Sequence, residues 1–495
     1  MAGVVTKHES YLALQDRWER CRDCVSGSDA VKAKGTKYLP ALDSHATKPN
    51  KYEEYKTRAL YYNAVGRTVA GLSGGIFQKA PAITVDSMAK EHIKDITLTG
   101  EPIDMFALEA TKEYLTTGRY GILIDMSGEL AVSPRPYWVG YESERIINWR
   151  FEKMGGDQEL CLVVLQEFVD KIDPNDEFSI TPQEQYRVLR LEDGIYTQEI
   201  YIPVKAENGS SEKKFQGQGR ITPLRLKEPL NFIPFSLPWG ISTPPLIDLV
   251  DVNLSHYRGS ADLKHGLHFT ALPTPWISGQ VGSSDKALAI GSGTAWVLDT
   301  NGKAGMLEFT GHGLGAIRTD LLDMQKHMAT LGARLLEEAP HYAETALSVS
   351  LRHSSDYATL RTIAQVIEQQ LSWALKVHTW WLGSKPLVSD IKDQIELNKT
   401  FFDQQVTADE LRALLLALQA GTISYKTFYS RLSATGWMRE GIDSEEELND
   451  IKSDGDQFEP IKPGVGGLPS EKLGSKPGEK TPPPDPKSKT PPKPA

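Results

Sequence analysis

The sequence is poor in cysteine and contains no long apolar run. Three cysteines in 495 residues are too few for a disulfide framework and suit a reducing compartment. No stretch approaches the roughly 20 apolar residues that cross a bilayer, and the N-terminal segment has no apolar block followed by a cleavage site. We therefore expect a protein that stays in the cytoplasm where it is made, without a membrane partner.

A phosphate-binding loop and an excess of positive charge are also missing. No Gly-x-x-x-x-Gly-Lys-Ser/Thr sequence occurs, which excludes a P-loop ATPase. The formal net charge is −10, and residues 461–495 carry seven Lys against three acidic residues, so this tail is +4 and the rest is −14. Affinity for nucleic acid comes largely from Lys and Arg that displace counterions from phosphates. An acidic chain of this kind could surround DNA without gripping it.

One short motif is typical of hydrolases. Gly71-Leu-Ser-Gly-Gly75 matches the G-x-S-x-G pattern, in which a serine nucleophile sits between a strand and a helix. Here the apolar spacing before Ser73 is helical, so we interpret the motif as a glycine-rich helix end. A serine hydrolase acting through Ser73 is kept as a weak alternative.

Candidate metal sites are incomplete. Cys21-Arg-Asp-Cys24 has no second pair to complete a zinc site, so we expect both thiols on the buried side of a helix over 11–25. His256, His265 and His268 have no carboxylate at ligand spacing. Asp173-Pro-Asn-Asp-Glu177 begins like a calcium loop, but a phenylalanine replaces the required glycine, which predicts an acidic turn between strands. We predict no catalytic residue, no metal and no cofactor.

The first half of the chain predicts helices followed by antiparallel strands. Apolar residues at 3-4-3-4 spacing indicate one helix over 52–77, and a second helix over 104–117 leads into a strand over 120–125. Strands are predicted at 145–150, 160–169, 186–191 and 195–202, the last two joined by the turn Asp193-Gly194.

The second half predicts long helices. Pro244 and Pro245 suit the first turn of a helix that Ser242 or Thr243 caps and that fades near 266–269. The apolar face predicted for this helix consists of Ile247, Val250, Leu254, Tyr257 and Ala261, at 3-4-3-4 spacing. A short β-rich insert follows, with strands around Trp276 and at 294–298. The most regular periodicity then predicts a helix with a narrow apolar seam, formed by Leu314, Ile317, Leu321, Met324, Met328, Leu331 and Leu335.

After Pro340, a loop separates this helix from a third long one that ends at Trp380-Trp-Leu-Gly383. The third helix has one predicted apolar face, formed by Leu360, Ile363, Ile367, Leu371, Ala374 and Trp381. Residues 407–452 predict a small helical domain with capping boxes at Thr407 and Ser444, a helix stop at Gly421 and a new cap at Ser424. From 459 onward the chain is rich in Pro, Lys, Gly and Ser, which predicts a disordered tail, either solubilising or in contact with an acidic partner or nucleic acid.

Several stretches in this order resemble the portal proteins of tailed bacteriophages, over about residues 10–455. They are Tyr61-Tyr-Asn-Ala-Val-Gly-Arg-Thr-Val-Ala-Gly-Leu72, Pro136-Tyr-Trp-Val-Gly-Tyr141, Ile146-Ile-Asn-Trp149, Ser242-Thr-Pro-Pro-Leu246, Glu344-Thr-Ala346, Trp380-Trp-Leu-Gly383, Gly421-Thr-Ile-Ser424 and Ser444-Glu-Glu-Glu447. The small size of the helical domain and the Pro/Lys tail depart from the general pattern of the family.

The resemblance implies an α+β fold of portal type, an elongated subunit with named parts. These are a mixed α/β wing (1–240), a first stem helix (241–270), a clip (271–312), a second stem helix (313–338), a tunnel loop (339–346), a long wing helix with a return strand (347–406), a helical crown (407–455) and a disordered tail (456–495).

The resemblance also implies a function and partners. The protein would form a ring, typically of twelve subunits, at one capsid vertex, where double-stranded DNA is packaged and ejected without sequence-specific contact. Its partners would be further copies of itself, the large terminase motor, a head–tail connector or adaptor, and the major capsid and scaffolding proteins. It would reside in the virion, and in the host cytoplasm during assembly.

The resemblance and the local charge select candidate channel residues. We expect the tunnel loop to project His341, Tyr342 and Glu344 into the lumen, and we expect four charged residues of the second stem helix to line the channel: Arg318, Lys326, Arg334 and Glu337. Besides the hydrolase, the alternative is a monomeric head-assembly adaptor or scaffold, which predicts no ring.

Overall fold

The computed structural model of the chain describes residues 3–42, 49–128, 134–154, 156–173, 176–204, 214–237, 243–270, 274–278, 301–307, 312–332, 346–383, 385–399, 408–433 and 444–454. They form two compact units, 1–401 and 402–495. Helices and strands are mixed, which confirms the predicted α+β class. No helix in these ranges is long and apolar enough to span a membrane.

The first unit contains both helices and sheets. Its helices are α1 (Glu9–Ser26), α2 (Ser28–Ala33), α3 (Pro49–Arg58), α4 (Ala64–Ile76), α5 (Ile103–Thr117), α6 (Ile247–Thr270), α7 (His312–Leu331) and α8 (Ala346–Trp381). The second unit contains α9 (Ala408–Gln419), α10 (Tyr425–Ser433) and α11 (Ser444–Asp454).

Most strands pair with their neighbours in sequence. They are β1 (Ala82–Thr84), β2 (Tyr120–Met126), β3 (Pro136–Glu142), β4 (Ile146–Met154), β5 (Asp157–Asp173), β6 (Asp176–Glu192), β7 (Ile195–Val204), β8 (Lys214–Ile221), β9 (Leu224–Arg225), β10 (Glu228–Pro229), β11 (Phe235–Ser236), β12 (Thr274–Ser278), β13 (Lys303–Leu307) and β14 (Gln394–Glu396).

The largest sheet is an antiparallel meander in the order β4-β5-β6-β7-β8. The predicted turn between β6 and β7 is confirmed, because Asp193 and Gly194 both adopt positive φ (51° and 73°), as a two-residue hairpin turn requires. A second sheet has the order β11-β2-β3, and the predicted return strand after α8 is β14, which pairs with β1.

A buried cation joins α1 to the two larger sheets. The Arg119 guanidinium is 1% exposed and lies between the rings of Trp18 and Trp149, 5.0 and 4.4 Å from their centroids. Its Nη2 donates to the carbonyl oxygens of Ser143 (2.9 Å) and Ile146 (3.1 Å). Burial lowers the pKa of Arg119 to about 10, so the side chain remains charged at neutral pH.

The predicted helix over 52–77 is two helices, α3 and α4. The Asn63 side chain caps α4 by accepting a hydrogen bond from the Gly66 amide (2.9 Å). Residues between the two helices bond instead to α6: the Leu60 amide donates to Ser260 Oγ at 3.0 Å. Tertiary hydrogen bonds therefore override a continuous helical pattern.

The small helical domain predicted over 407–452 agrees with the helices of the second unit. Ser424 Oγ accepts from the Thr427 amide at 3.2 Å, which is the predicted cap of α10, and Gly421 has φ 71° at the predicted stop. Thr407, proposed as a cap, and the Pro/Lys tail (456–495) lie outside the described residues.

Candidate functional site

Helices α6 and α7 lie antiparallel, and the hairpin of β12 and β13 follows the end of α6 and precedes α7. This is the predicted pair of long helices around a β insert. Thr274 pairs with Leu307 and Ser278 with Lys303. The strand around Trp276 was predicted, whereas the partner strand 303–307 was not, and the predicted strand at 294–298 lies outside the described residues.

Two glycines of α6 allow α7 to approach closely. A Cβ atom at Gly266 would lie 2.5 Å from Leu314 Cδ2, and one at Gly259 would lie 3.2 Å from Leu321 Cδ2. The two glycines are seven residues apart, and so are the two leucines. Leu314 therefore covers Gly266, and Leu321 covers Gly259. This regular packing was missed from the sequence, although the matched spacing could have revealed it.

The opposite side of α6 is buried in the body of the first unit. Its predicted apolar face is confirmed, since Val250, Leu254, Tyr257 and Ala261 are each at most 2% exposed. They pack against residues of α1, α3 and α4, including Cys21 and Cys24, Tyr55 and Val65. Both thiols are free and buried, as predicted, and burial raises the pKa of each to about 12.

Asn253 makes the most extensive polar contact of α6 with this body. It is fully buried; its Nδ2 donates to the Tyr62 carbonyl at 2.8 Å, and its Oδ1 accepts from Tyr61 Oη (3.3 Å) and the Val65 amide (3.4 Å). The Asn253 side chain thus bonds two donors and one acceptor at the junction between α3 and α4. Its role was not predicted, because the partners are distant in sequence.

A histidine marks the boundary between α6 and α7. His256 is 3% exposed, and its Nε2 accepts from the Gln325 side-chain amide at 3.1 Å. Burial lowers the pKa of His256, which favours the neutral ring that can accept this bond. His256 is thus a polar residue of the boundary between the helices. The described residues contain no group of three or more His, Cys, Asp and Glu side chains placed to hold a metal ion.

The outer side of α7 is charged but nearly balanced. Lys326 Nζ lies 3.0 Å from Asp323 Oδ1, and both side chains are more than half exposed. Arg318 and Asp320 are exposed on the same helix. Of the proposed channel residues, Lys326 and Arg318 are therefore at the surface of α7. Arg334, Glu337, His341, Tyr342 and Glu344 lie outside the described residues.

The predicted apolar seam of α7 is only partly covered. Leu321 and Met328 are buried at 7% and 1%, whereas Leu331 is 38% exposed. Leu314, Ile317 and Met324 are half-buried, and Leu335 lies outside the described residues. The seam therefore has apolar surface left over in a single chain.

The third long helix, α8, packs into the core as predicted. From Leu360 onward its apolar face, including Ile367 and Leu371, is buried. Its end is capped by Gly383 (φ 85°) and by Arg225, whose Nε donates to the Trp380 carbonyl at 2.6 Å.

The hydrolase motif does not form a nucleophile elbow. Ser73 lies inside α4, is 2% exposed, and its hydroxyl donates to the Ala70 carbonyl at 3.1 Å. The strand that such an elbow needs before the serine is replaced by a helix. The helical interpretation of this motif is confirmed.

A protein-family model matches part of the chain, and several solved structures match most of it. A family model described as "Domain of unknown function (DUF4055)" matches residues 245–382, from the start of α6 to the end of α8. No curated protein matches.

Three similar solved structures come from particles of a gene transfer agent. The first is the neck of an empty particle, computed with C6 symmetry. It has 14% sequence identity and a TM-score of 0.37, and the match covers 76% of this chain and 90% of that chain. The second is from the virion of the native particle, with 12% identity and a TM-score of 0.34 over 81% and 92%. The third is the neck of the native particle computed with C12 symmetry, with 13% identity and a TM-score of 0.34 over 74% and 89%.

Proposed function

We propose that the chain is the portal subunit of a phage-like particle, a structural virion protein that forms a ring channel at the capsid vertex. The order of elements supports this proposal: mixed α/β region, α6, β hairpin, α7, α8 and a small helical unit. In this proposal α6 and α7 are the stem, the hairpin belongs to the clip, and α9 to α11 form the crown. DNA is packaged and ejected through the ring.

The observation that carries the proposal is the unequal burial of the helix pair. Helix α6 is fixed to the body by Asn253 and its apolar face, whereas α7 leaves half-buried seam residues such as Ile317 and Met324 at its surface. A helix with one covered side and residual apolar surface suits a ring, in which neighbouring subunits supply the missing contacts. Head-to-tail contacts between identical subunits close into a ring when the rotation between them allows it.

The charge of α7 suits a channel through which DNA slides. Lys326 is paired with Asp323, and Asp320 adds a second exposed carboxylate to the helix that carries Arg318. A channel wall whose cations lie beside carboxylates displaces few counterions from DNA, so its affinity for DNA is low. Arg318 and Lys326 would then give weak guiding contacts with phosphates.

The remaining parts follow from the same proposal. The clip would meet the large terminase motor during packaging and the connector or adaptor afterwards, and the wing would meet the capsid and scaffolding proteins. The tunnel loop would carry His341, Tyr342 and Glu344 into the lumen. Particles with Tyr342→Ala or Glu344→Ala are expected to lose packaged DNA, measured as nuclease-protected genome per particle; normal retention would remove those residues from the channel.

Negative-stain microscopy of the purified full chain tests the ring directly. We expect annular particles with a central hole and a native mass near twelve subunits. A homogeneous population of small particles at all concentrations would instead support the monomeric adaptor.

A further inference from the structure

The connection between β1 and α5 is long and contacts the last turns of α8. Residues 85–102, all of which the structure describes, contain no strand, and their regular structure is a single turn of 3-10 helix, His92–Lys94. Ala89 and Ile96 are fully buried, so the segment covers part of the core. Connections of this length are uncommon in compact domains unless they have a function of their own. We name residues 85–102 the strap.

Two polar contacts join the strap to the region of α8. His92 Nδ1 lies 3.0 Å from His378 Nε2 of α8, and the two rings meet edge to face with centroids 5.2 Å apart. His378 is fully buried, whereas His92 is half-buried. Nearby, the Asp86 amide donates to Asp393 Oδ1 at 3.1 Å. The histidine pair is therefore a direct side-chain bond between the strap and α8.

The surroundings of His378 decide which histidine donates the hydrogen bond. His378 Nδ1 is buried and has no hydrogen-bond partner among the described residues. A buried N–H without an acceptor costs free energy, so we assign the one N–H of the neutral His378 ring to Nε2. His378 therefore donates, His92 Nδ1 accepts, and the N–H of His92 lies on its Nε2. In this arrangement both rings are neutral.

An added proton disrupts this arrangement. Protonation of His92 places an N–H on Nδ1, opposite the N–H of His378. The bond can then persist only if His378 moves its own proton to Nδ1, where the buried N–H has no acceptor. Burial lowers the pKa of both histidines, that of His378 to about 3, and the charge of Arg135 acts in the same direction. Each route to a charged pair thus carries a cost.

The other charged groups at this place respond differently. Arg135 Nη2 donates to Asp95 Oδ2 of the strap at 2.8 Å, so the cation that opposes protonation is held by the strap itself. Thr379, the next residue of α8, donates to Asp393 Oδ2 at 2.5 Å. Burial raises the pKa of Asp393, although Lys376 opposes this shift, so proton uptake by Asp393 favours the folded state. Between pH 7 and pH 5, proton uptake by the two histidines is what opposes the closed strap.

We propose that His92 and His378 form an acid-sensitive latch, which holds the strap against α8 at neutral pH and releases it in acid. A histidine whose pKa is lowered in the folded state contributes stability that is fully present above its unfolded pKa of about 6.5 and is lost as the pH falls below it. Release uncovers Ala89, Ile96 and the end of α8. This inference goes beyond the proposed function and holds whether or not the chain forms a ring.

Hydrogen exchange of the full chain at pH 7 and pH 5 tests the latch. If opening frees one histidine with a pKa of about 6.5, the opening constant rises roughly 10- to 25-fold between these pH values. We expect the protection of strap amides, corrected for the chemical exchange rate at each pH, to fall by at least about tenfold. A fall of less than about threefold in the unmodified chain would overturn the proposal.

Two histidine variants assign the effect. His92→Gln keeps a polar side chain that does not titrate, and His327→Gln is the matched control, because His327 is exposed on α7. We expect His92→Gln to reduce the acid-induced fall in strap protection by at least about fivefold, and His327→Gln to leave it unchanged. The same fall in both variants would show that another group controls the strap. Circular dichroism at pH 7 verifies folding.

A thiol inside the strap reports its release without changing the latch. Ala89 is fully buried and the three natural cysteines are also buried, so Ala89→Cys adds one thiol that becomes accessible when the strap opens. With a dipyridyl disulfide reagent, which reacts with thiols in acid, we expect labelling relative to a small free thiol to be at least about tenfold faster at pH 5 than at pH 7. Equal relative rates at both pH values would show that the strap stays closed, contrary to the proposal.

Discussion

Helices α6 and α7 pack side by side, yet one is held by the body of the protein and the other mainly by its neighbour. Asn253, His256 and Tyr257 of α6 are each at most 3% exposed, and polar bonds join α6 to the segment between α3 and α4. On α7, only Leu321 and Met328 are fully buried among its described side chains. The comparison shows that a single chain buries α6 both in the body and against α7, whereas it covers α7 along one side.

The largest effect on this comparison is expected from Asn253→Ala. The change removes the bond to the Tyr62 carbonyl and leaves the buried Val65 amide without its side-chain partner, which together cost about 3 kcal/mol of unfolding free energy. Asn148→Ala is the matched control, because that side chain donates a similar bond (2.8 Å, to the Thr6 carbonyl) at an exposed position. Urea unfolding measures both, and equal losses would show that burial of the amide on α6 is unimportant.

A smaller loss is expected from Leu321→Ala on α7. The leucine is 7% exposed and covers Gly259, so its removal leaves a cavity between the helices and costs about 2 to 3 kcal/mol. The neighbouring Leu322 is 49% exposed, and Leu322→Ala should cost less than about 0.5 kcal/mol. If the two variants melt alike, α7 is not held through its glycine contacts.

Acidification should loosen the boundary between the helices. The pKa of His256 is lowered by burial, so below pH 6.5 the unfolded chain binds a proton that the folded chain resists, and stability falls as the pH decreases. His378, whose pKa burial lowers to about 3, acts in the same direction. His256→Gln should therefore show a shallower loss of melting temperature between pH 7 and pH 5 than the unmodified chain. Parallel curves would contradict a role for His256.

The smallest effect is expected on the outer side of α7. Lys326→Ala removes an exposed pair with Asp323 and should change the unfolding free energy by less than about 0.5 kcal/mol. Asp323→Ala should do the same. A loss above about 1 kcal/mol in either variant would mean that the outer side of α7 is covered in the folded protein.

The spacing of apolar residues predicted the helices that bury one face, and the local residue types predicted the turn. The seam residues Leu321 and Met328 are buried as their spacing indicates, and the turn Asp193-Gly194 joins two strands because both residues tolerate positive φ. The apolar face of α8, with Ile367 and Leu371, was predicted in the same way.

Contacts between distant residues decided what periodicity could not. The break between α3 and α4 depends on Asn253 and Ser260 of α6, which lie far along the chain. The strand 303–307 is fixed by pairing with 274–278, and the length of the hairpin of β5 and β6 is fixed by pairs such as Ile172 with Ile180. The packing of Leu314 and Leu321 on glycines could be predicted only by comparing the spacing of residues in both helices.

The matched glycines of α6 have a consequence for how the helix pair can move. Gly259 and Gly266 leave two equivalent gaps in the surface of α6, seven residues apart. Leu314 and Leu321 are separated by the same seven residues. Translating α7 by one heptad, about 10.5 Å, would bring a leucine to a glycine again. The hydrogen bond between His256 and Gln325 has no such repeat, so it favours the observed register over those in which a leucine again meets a glycine.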